Sequence, residues 1–426
     1  MMPIYEYLNE FSEISFHMPG HKGNIPVPIV DVTELSGTDN LMCPEGIIKD
    51  AQEKLAKVLG KKETFFLTNG ATSGILASIL ATVTPGETVL VDRNCHAAVI
   101  YGLILAGGIP KFVYPTVNEE FGIPNPLSAE DITYQGEKVL IVTSPTYYGE
   151  IADIKKIREK VGDITIIQDE AHGAHFYFDD SLAVCRTNES DLTVLSFHKT
   201  MPTLNQGAVL CKNTDKISSK KLKQAISMVH TTSPSYPILS SLDYSGSYGK
   251  ELYRNTSVLD KIKQLSKKII EQTPLKILNN QDSYKLLLNC DGTNYSAKEL
   301  DSYLQEQYQI YAEGVFGNNL LLMFSPCNTV EELKILSDAL FGLAWEEKEA
   351  KKTTYPLFWL PQAMSPREAY FAEGEWIPVR EAVGRISKEN ITRFPPCVPI
   401  VTVGEELTEE VLRQIPGDTV YVVTKL

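Results

Sequence analysis

Lys199 stands where a lysine side chain could form an imine with a bound carbonyl compound. It lies in the segment Ser196–Thr200 (SFHKT), at the end of a run that is typical of a strand. Ligands of open α/β sheets bind outside the carboxyl ends of the strands, so a lysine there can reach them. Burial among neutral groups lowers the pKa of a lysine and makes it a better nucleophile. A lone loop lysine is usually solvated, so this interpretation depends on the neighbours of Lys199.

A second candidate is Asp169, which follows the apolar run Ile164–Gln168 and begins the sequence Asp169-Glu170-Ala171-His172. A carboxylate at the end of a buried strand is shielded from water and needs a cationic partner. A protonated pyridine nitrogen is such a partner, and a protonated ring stabilises a carbanion at the substrate Cα. His172 follows on the next turn, where it can hydrogen-bond a cofactor or a substrate. The four residues alone also fit a metal site.

Two further segments could hold other parts of a cofactor. Thr68–Gly74 (TNGATSG) lies between a strand and an amphipathic helix, where backbone N–H groups and the helix dipole favour a phosphate. Ala71 offers only its backbone N–H there, and Thr72 adds a hydroxyl. An ordinary helix N-cap is the alternative for this segment. His96 follows another strand end and could lie flat against a conjugated ring, or could be a capping or core histidine.

Seven short β-rich runs must position these side chains, and they alternate with amphipathic stretches between about residues 61 and 211. The runs are Thr64–Leu67, Thr88–Asp92, Lys111–Tyr114, Val139–Thr143, Ile164–Gln168, Thr193–Phe197 and Ala208–Cys211. Several are apolar throughout, as strands covered on both faces are. The alternation predicts an α/β fold with a large, mostly parallel sheet and helices on both of its faces.

The rest of the chain predicts two smaller parts. Residues 236–272 are typical of a long helical connection, and a smaller α/β unit follows it. Its predicted elements are strand Tyr284–Asn289, helix Ala297–Tyr308, strand Leu320–Phe324 and helix Val330–Glu349. The charged stretch Glu346–Lys352 is a candidate boundary. We therefore predict an N-terminal segment with a large domain over residues 1–255, a small α/β domain over 256–350 and a C-terminal domain over 351–426.

Composition narrows the class of protein. Of the 426 residues, 43% are hydrophobic and 22% are charged, as in a soluble globular protein with a sizeable core. The net charge of −14 argues against nucleic acid as a partner and suits a cationic substrate. The sequence shows no secretory signal and no apolar run near the roughly 18 residues of a membrane span. The seven cysteines are scattered without a CxxC pair, which predicts reduced thiols, a cytoplasmic protein and no zinc site.

The chain resembles the Orn/Lys/Arg decarboxylase family over nearly its whole length. The segment His17–Lys22 (HMPGHK) resembles the N-terminal signature of that family, and Asp169–His172 with Ser196–Pro202 resembles its cofactor core. Other matching segments are Gly37–Gly46, Thr231–Pro237, Glu381–Ile386 and Pro395–Pro399. The resemblance implies an aspartate-aminotransferase-like (type I) fold and pyridoxal 5′-phosphate (PLP) as the cofactor. It also implies decarboxylation of arginine, lysine or ornithine to an amine and carbon dioxide, as in polyamine-precursor synthesis.

The same resemblance implies a role for each candidate residue. Lys199 would form the Schiff base with PLP, and Asp169 would pair with the pyridine nitrogen while His96 stacks on the ring. The phosphate would be held by Ala71, Thr72, Ser196 and His198. His172 would sit near the substrate carboxylate or the ring oxygen, and Lys199 or His198 would return a proton to Cα. Thr232 and Ser233 would complete the site of a neighbouring subunit, which makes a homodimer the smallest active unit.

Three alternatives remain open. An aminotransferase of the same fold usually grips the α-carboxylate with an arginine, but the corresponding stretch Asn318–Phe324 has none, which favours decarboxylation. The chain begins directly at the family signature without the wing domain of larger members, and Ala71 replaces a hydroxyl residue, so a non-catalytic PLP-binding relative is a second alternative. A metal hydrolase built on His172 and His175 lacks further ligands.

The sequence does not select the acceptor for the distal cation of such a substrate. Its candidates are Asp39, Glu45 and Glu375, and for each a solvated surface carboxylate is the alternative.

Overall fold

The elements that carry the candidate residues are defined by a computed structural model, which describes residues 14–16, 20–22, 32–350, 358–393 (except the Arg393 side chain) and 397–424. The strands are β1 (Ile14–Phe16), β2 (Glu63–Leu67), β3 (Thr88–Asp92), β4 (Ile109–Val113), β5 (Val117–Asn118), β6 (Ile123–Pro124), β7 (Val139–Thr143), β8 (Thr165–Asp169), β9 (Leu192–Leu195), β10 (Ala208–Lys212), β11 (Lys276–Ile277), β12 (Lys285–Asn289), β13 (Ile310–Ala312), β14 (Gly314–Phe316), β15 (Asn319–Met323), β16 (Gly374–Pro378), β17 (Ile391–Arg393), β18 (Val398–Val401) and β19 (Thr419–Val423). The helices are α1 (Ile47–Leu59), α2 (Gly70–Thr82), α3 (Ala97–Ala106), α4 (Ile154–Val161), α5 (Phe197–Thr200), α6 (Ser219–Val229), α7 (Tyr236–Arg254), α8 (Ser257–Gln272), α9 (Ala297–Tyr308), α10 (Val330–Phe341), α11 (Pro366–Phe371) and α12 (Glu409–Leu412). Short 3₁₀ turns cover Ala174–Tyr177, Asp180–Cys185 and Val379–Glu381.

The central sheet has the order β2-β10-β9-β8-β7-β3-β4. Neighbouring strands are parallel except at β10, which is antiparallel to both β2 and β9. The seven predicted runs are therefore the seven strands of one mostly parallel sheet, with ends that differ by one or two residues. The register pairs Thr143 with Asp169, so the candidate carboxylate lies at the carboxyl edge. Phe197 was predicted as strand but begins α5, which turns Lys199 back toward that edge.

Helices α2 and α3 cover one face of the sheet and begin at its carboxyl edge. Both are apolar around most of their surface, because they pack on the sheet and on each other. The closest approach is at Gly102, where an added Cβ would lie 2.5 Å from the side chain of Ile79. This packing fixes both helix starts, and with them Ala71, Thr72 and His96.

The smaller sheet has the order β11-β12-β15-β14, and its neighbouring strands are antiparallel. Helix α9 has the predicted bounds and begins with a capping box between Ser296 and Glu299. The predicted helix Val330–Glu349 ends early, at Phe341, where the chain turns back and Trp345 donates its indole N–H to the carbonyl of Leu340. The predicted connection over residues 236–272 is two helices, α7 and α8.

Two small sheets, β16-β19 and β17-β18, form the last part of the chain with a core of their own. Arg93, which follows β3, is buried against this part. Its guanidinium donates to the carbonyls of Pro399 at 2.6 Å and Ile400 at 3.0 Å, and lies 3.4 Å from the buried carboxylate of Glu405. Arg93 therefore joins the carboxyl edge of the central sheet to the C-terminal part.

Within the described residues, no helix combines the length and the apolar character that a membrane crossing requires. Of the N-terminal signature, only Gly20, His21 and Lys22 fall in the described ranges. In the segment Pro395–Pro399, the described residues begin at Cys397.

The Arg93–Glu405 contact predicts a large effect on stability. Arg93→Met leaves the Glu405 carboxylate buried without its counter-charge, and removal of one partner from a buried ion pair costs about 3–5 kcal/mol. We expect the free energy of unfolding of the C-terminal part to fall by that amount, measured by urea denaturation with the fluorescence of Trp359 and Trp376. Arg413→Met, which breaks an exposed 2.6 Å pair with Glu409, is the control and should change it by less than about 1 kcal/mol. Equal losses in the two variants would contradict the anchoring role.

Candidate active site

A cavity of about 220 Å³ opens at the carboxyl ends of β2, β3, β7, β8 and β9. Its walls contain most of the residues that the sequence predicts for the site. They are Gly70, Ala71, Thr72, Ile75, Asn94, His96, Ala98, Thr143, Pro145, Tyr147, Asp169, Ala171, His172, Ser196, His198, Lys199 and Val398. A larger cavity of about 440 Å³ lies between α1, α6 and β2 and contains none of the predicted site residues.

Lys199 lies in the short helix α5, which follows β9, and its half-buried side chain lines the cavity. Its Nζ is 3.0 Å from Nε2 of His172. Burial lowers the pKa of Lys199, although the carboxylates of Asp169 and Glu313 act in the opposite direction. A lysine with a lowered pKa loses its proton more readily, which is the state that attacks a carbonyl carbon. The geometry therefore suits the covalent role predicted for Lys199.

Asp169 ends β8 and is 5% exposed. Its carboxylate accepts a hydrogen bond from the Ala171 N–H at 3.2 Å and faces the charge of Lys199. Burial raises the pKa of Asp169, and the Lys199 charge lowers it in part. A cationic ring nitrogen against this carboxylate would offset the cost of burying it, so the site fits a protonated pyridine.

His172 is buried beside Lys199 in the cavity wall. Burial first, and then the charges of Lys199 and Lys285, hold the pKa of His172 well below its usual range, so the ring is neutral near pH 7. Its Nε2 faces Lys199, while its Nδ1 is buried with no hydrogen-bond partner among the described residues. A buried polar atom without a partner costs about 1–3 kcal/mol, which a ligand that bonds it would recover.

His96 is both a capping residue and a wall of the cavity. Its Nδ1 accepts a hydrogen bond of 3.1 Å from the Ala98 N–H at the start of α3, which leaves the proton of the neutral ring on Nε2. Burial and the nearby Lys199 charge lower the pKa of His96 to about 4. The cap fixes the ring position, and the neutral ring can face an aromatic ligand without repelling its positive charge.

The opposite end of the cavity offers hydrogen-bond donors that suit an anion. Ala71 and Thr72 lie in the first turn of α2, where backbone N–H groups have no partner inside the helix. His198 Nδ1 lies 3.2 Å from Ser196 Oγ and 3.3 Å from the Gly207 carbonyl. Burial lowers the pKa of His198 to about 4, with Lys199 as the next cause. These groups form a neutral, donor-rich wall of the kind that a phosphate needs.

Thr232 and Ser233 lie outside this cavity and are exposed on the single chain. The structure therefore brings together Lys199, Asp169, His172, His96, Ala71, Thr72, Ser196 and His198, but not these two residues. Their predicted place in the site of a second subunit stays a prediction.

The three carboxylates considered for a distal cation also lie outside the cavity. Asp39 accepts backbone hydrogen bonds from Asn40, Glu45, Gly46 and Ile48, which lower its pKa to about 2. Glu375 pairs with Arg385 at 2.7 Å, and Glu45 is exposed at the start of α1. On the single chain, none of the three lies at the cavity.

Sequence reasoning did not identify three residues near the cavity: Tyr147, Lys285 and Glu313. The hydroxyl of Tyr147 donates to the carboxylate of Glu313, and its ring meets His172 edge-on with centroids 4.8 Å apart. Lys285 donates to the Tyr147 carbonyl at 2.9 Å. Lys285 begins β12 and Glu313 lies between β13 and β14, so no local pattern links them to Lys199. A lysine inside the apolar run Tyr284–Asn289 was the available signal.

The structure offers no support for the metal-hydrolase alternative. His175 Nε2 lies 2.8 Å from the buried carboxylate of Asp282, away from the cavity. In the described part of the chain, no group of three or more His, Cys, Asp or Glu side chains is arranged to bind a metal ion.

Comparison with known families and proteins gives a consistent result. The family model described as Orn/Lys/Arg decarboxylase, major domain, matches residues 2–285, and the one for the C-terminal domain of that family matches residues 349–415. Arginine decarboxylase of Bacillus subtilis (strain 168) is 30% identical over 96% of this chain and 91% of its own length. Lysine decarboxylase LdcA of Pseudomonas aeruginosa is 27% identical over 58% of this chain and 40% of its own length.

Solved structures show the fold. Lysine decarboxylase A from Pseudomonas aeruginosa matches with a TM-score of 0.76 at 19% identity, covering 92% of this chain and 73% of that one. Serine palmitoyltransferase of Sphingomonas wittichii matches with a TM-score of 0.56 at 15% identity, covering 72% of this chain and 78% of that one. The aspartate-aminotransferase-like (type I) fold predicted from the resemblance is confirmed.

Gly20 supplies a test of how the N-terminal signature supports the site. Its N–H donates to the His198 carbonyl at 2.7 Å, and an added Cβ would lie 2.7 Å from the backbone at Thr200 and Met201. Such overpacking costs about 1–3 kcal/mol, so Gly20→Ala should displace the segment of Lys199 and weaken PLP binding about tenfold. The dissociation constant of PLP, measured by its absorbance on the protein, checks this expectation.

The control for this experiment is Gly37→Ala in the same N-terminal region, where an added Cβ meets no atom within 4 Å. It should bind PLP as the wild type does. Unchanged affinity in Gly20→Ala would show that the signature does not support the segment of Lys199.

Proposed function

The chain belongs to the Orn/Lys/Arg decarboxylase family, and we propose that it uses PLP to decarboxylate arginine, lysine or ornithine, releasing the amine and carbon dioxide. The family and enzyme class predicted from the sequence are confirmed by this membership. The observation that carries the proposed reaction is the contact of Lys199 with the buried His172, beside the buried Asp169, at the carboxyl edge of the sheet.

We assign the binding of PLP to the residues of the 220 Å³ cavity. Asp169 would hold the ring nitrogen in its protonated form, His96 would lie against the ring, and Lys199 would be the point of covalent attachment. The first turn of α2, with Ala71 and Thr72, would bind the phosphate together with Ser196 and His198. When bound, PLP supplies the electron sink for the charge left at Cα after carbon dioxide departs.

Lys199 is the better of the two proton donors considered for Cα. Its pKa is lowered by burial, and its Nζ lies 3.0 Å from His172 Nε2, so it releases a proton more readily than a solvated lysine does. His198 has a pKa of about 4 and its Nδ1 faces Ser196 and the Gly207 carbonyl, so it is neutral and already engaged. We therefore assign the proton transfer to Lys199 and phosphate binding to His198.

Glu313 is our candidate for the acceptor of the substrate's distal cation. Its carboxylate accepts a hydrogen bond from Tyr147, a cavity residue, and is close enough to Lys199 to affect the pKa of that lysine. A carboxylate this near the reacting centre, but separate from Asp169, can bind the far end of a basic amino acid. Both an ammonium and a guanidinium would be attracted to it.

The absence of arginine from the cavity walls favours decarboxylation over transamination. Among the described residues that line the cavity there is no arginine. Strand β15 (NLLLM) corresponds to the segment in which aminotransferases usually have a carboxylate-binding arginine; it has no arginine and all of its residues are buried. Arg93 is engaged with the C-terminal part. Within the described residues, a substrate carboxylate would thus have no arginine as its partner, which suits a decarboxylase better than a transaminase. The intact Lys199–Asp169–His96 set argues against a non-catalytic relative.

We also propose a homodimer that works in the cytoplasm. The exposed positions of Thr232 and Ser233 leave them available to the site of a second subunit. All seven cysteines are free thiols, which suits a reducing compartment. Light scattering of the purified protein would test the dimer, because a monomer with full activity would contradict the shared site.

The reaction itself is tested with PLP-loaded protein and a panel of arginine, lysine and ornithine. We expect carbon dioxide and the matching amine from one of them, because Lys199 and Asp169 would together hold PLP in the cavity. Lys199→Ala should lose at least about a thousandfold in kcat, since both attachment and proton return depend on its Nζ. Sustained multiple turnover by Lys199→Ala would exclude the mechanism, and bound PLP without gas from any of the three would exclude the proposed substrates.

Glu313→Gln tests the acceptor of the distal cation. A hydrogen bond to a charged group contributes about 1.5–3 kcal/mol, so we expect KM for the basic substrate to rise roughly ten- to a hundredfold. The matched control is Glu120→Gln, which neutralises an exposed carboxylate paired with Lys276 at 2.9 Å and should leave KM unchanged. An unchanged KM in Glu313→Gln would remove Glu313 from the binding site.

A further inference from the structure

Lys285 is a buried lysine at the start of a strand whose next three residues are leucines. It begins β12, where Leu286, Leu287 and Leu288 follow it, and it is only 4% exposed. Lysine is almost never fully buried unless its ammonium is bound, because the desolvation of the charge is costly. A lysine at this place in the smaller sheet therefore has a specific use.

The contacts of Lys285 lead toward the active site. Its Nζ donates to the Tyr147 carbonyl at 2.9 Å and lies 3.5 Å from the Thr146 carbonyl. It also lies 5.8 Å from the centre of the Tyr147 ring, within cation–π range. The Lys285 ammonium thus binds the main chain of the loop that follows β7, at Thr146 and Tyr147. It also contacts the Tyr147 ring.

Tyr147 passes this restraint on to two groups beside Lys199. Its ring meets the edge of His172, whose Nε2 is 3.0 Å from Lys199 Nζ. Its hydroxyl donates to the carboxylate of Glu313. A shift of Lys285 would therefore move Tyr147, and with it the histidine and the carboxylate on this side of the cavity.

Burial and nearby charges together determine the pKa of Lys285. Burial lowers the pKa of Lys285 to about 8; Asp282 and Glu313 raise it and Lys199 lowers it. In the described part of the chain, no carboxylate oxygen lies within ion-pair distance of its Nζ, and Asp282 is instead bound to His175 at 2.8 Å. At neutral pH its ammonium is thus a positive charge that faces Lys199 and His172 without a direct counter-ion.

We propose that Lys285 is a positioning residue of the active site: its ammonium fastens the Thr146–Tyr147 main chain, and Tyr147 in turn sets His172 and Glu313 against Lys199. After burial and the charge of Lys199, the charge of Lys285 also disfavours protonation of His172. The proposal rests on the cofactor site assigned above but not on the identity of the substrate. It extends the site into the smaller sheet.

The alternative is a purely structural lysine that satisfies two buried carbonyls. Both readings predict that Lys285→Met lowers stability, so unfolding alone cannot separate them. A nearby cation disfavours the protonated form of its neighbours, and its removal therefore raises their pKa. If Lys285 has only a structural role, its replacement would leave the pKa of Lys199 unchanged.

The experiment compares PLP-loaded wild type, Lys285→Met, Lys285→Arg and the control Lys212→Met. Lys212 is a buried lysine bound to Glu63 at 2.8 Å and Ser219 at 2.9 Å, outside the cavity. The readouts are the midpoint pH of the absorbance change of bound PLP, the PLP dissociation constant, and kcat and KM. The absorbance readouts need no turnover. They can therefore contradict the role of Lys285 while the proposed reaction holds, or support that role when no reaction is found.

We expect Lys285→Met to move the absorbance midpoint upward by roughly one pH unit, because a cation beside Lys199 is removed. Its kcat should fall about tenfold or more as His172 loses its fixed place. Lys285→Arg should restore the midpoint, since it keeps the charge, and Lys212→Met should match the wild type. An unchanged midpoint in Lys285→Met, or the same displacement in Lys212→Met, would overturn the proposal.

Lys285→Gln keeps the test decisive if Lys285→Met does not fold. The amide is neutral but retains an N–H donor for the buried carbonyls. The same upward displacement is required of it, and a wild-type midpoint would overturn the proposal in the same way.

Discussion

Two opposite charges, the half-buried ammonium of Lys199 and the buried carboxylate of Asp169, face each other at one edge of the central sheet, and the rest of the site depends on this pair. Neither is stable there alone, since an isolated ion in a low-dielectric interior costs several kcal/mol. Each shifts the pKa of the other toward its charged form, while burial acts in the opposite direction on both. The result is a lysine that can lose its proton and a carboxylate that needs a cation.

The neighbouring histidines fit the same constraint. His96, His172 and His198 all have lowered pKa values, with burial as the first cause and Lys199 as the next. All three are therefore neutral near pH 7 and add no positive charge to a wall that already contains Lys199. Their ring nitrogens remain available as donors and acceptors, which is what the binding of an aromatic, phosphorylated cofactor requires. Burial and the charge of Lys199 thus act in the same direction on all three histidines.

The sequence was sufficient to predict the sheet and the part of the site that it carries. Parallel strands are buried on both faces, so they appear as continuous apolar runs, and Asp169 and Lys199 follow such runs directly. The groups that complete the site lack a local signal, because they meet only in the folded chain. Tyr147 and Lys285 are 138 positions apart, and Arg93 and Glu405 are 312 apart. The sequence also does not predict where each helix ends. The helix that begins at Val330 ends at Phe341, and Trp345 beyond it donates a hydrogen bond to the Leu340 carbonyl.

The C-terminal part contributes to the site through the backbone rather than through charged side chains. Val398 lines the cavity, and the Cys397 carbonyl accepts a hydrogen bond from the Ala97 N–H at the start of α3, next to His96. Arg93 binds the same segment at Pro399 and Ile400, two and three residues after Cys397. Both contacts start from the chain that follows β3, so the residues between β3 and α3 are held by the C-terminal part on one side and by the central sheet on the other. A cofactor ring placed against His96 would therefore contact a wall formed by the segment after β3 and by the C-terminal part. The C-terminal part is for this reason a structural component of the cavity, even though Lys199 and Asp169 belong to the central sheet.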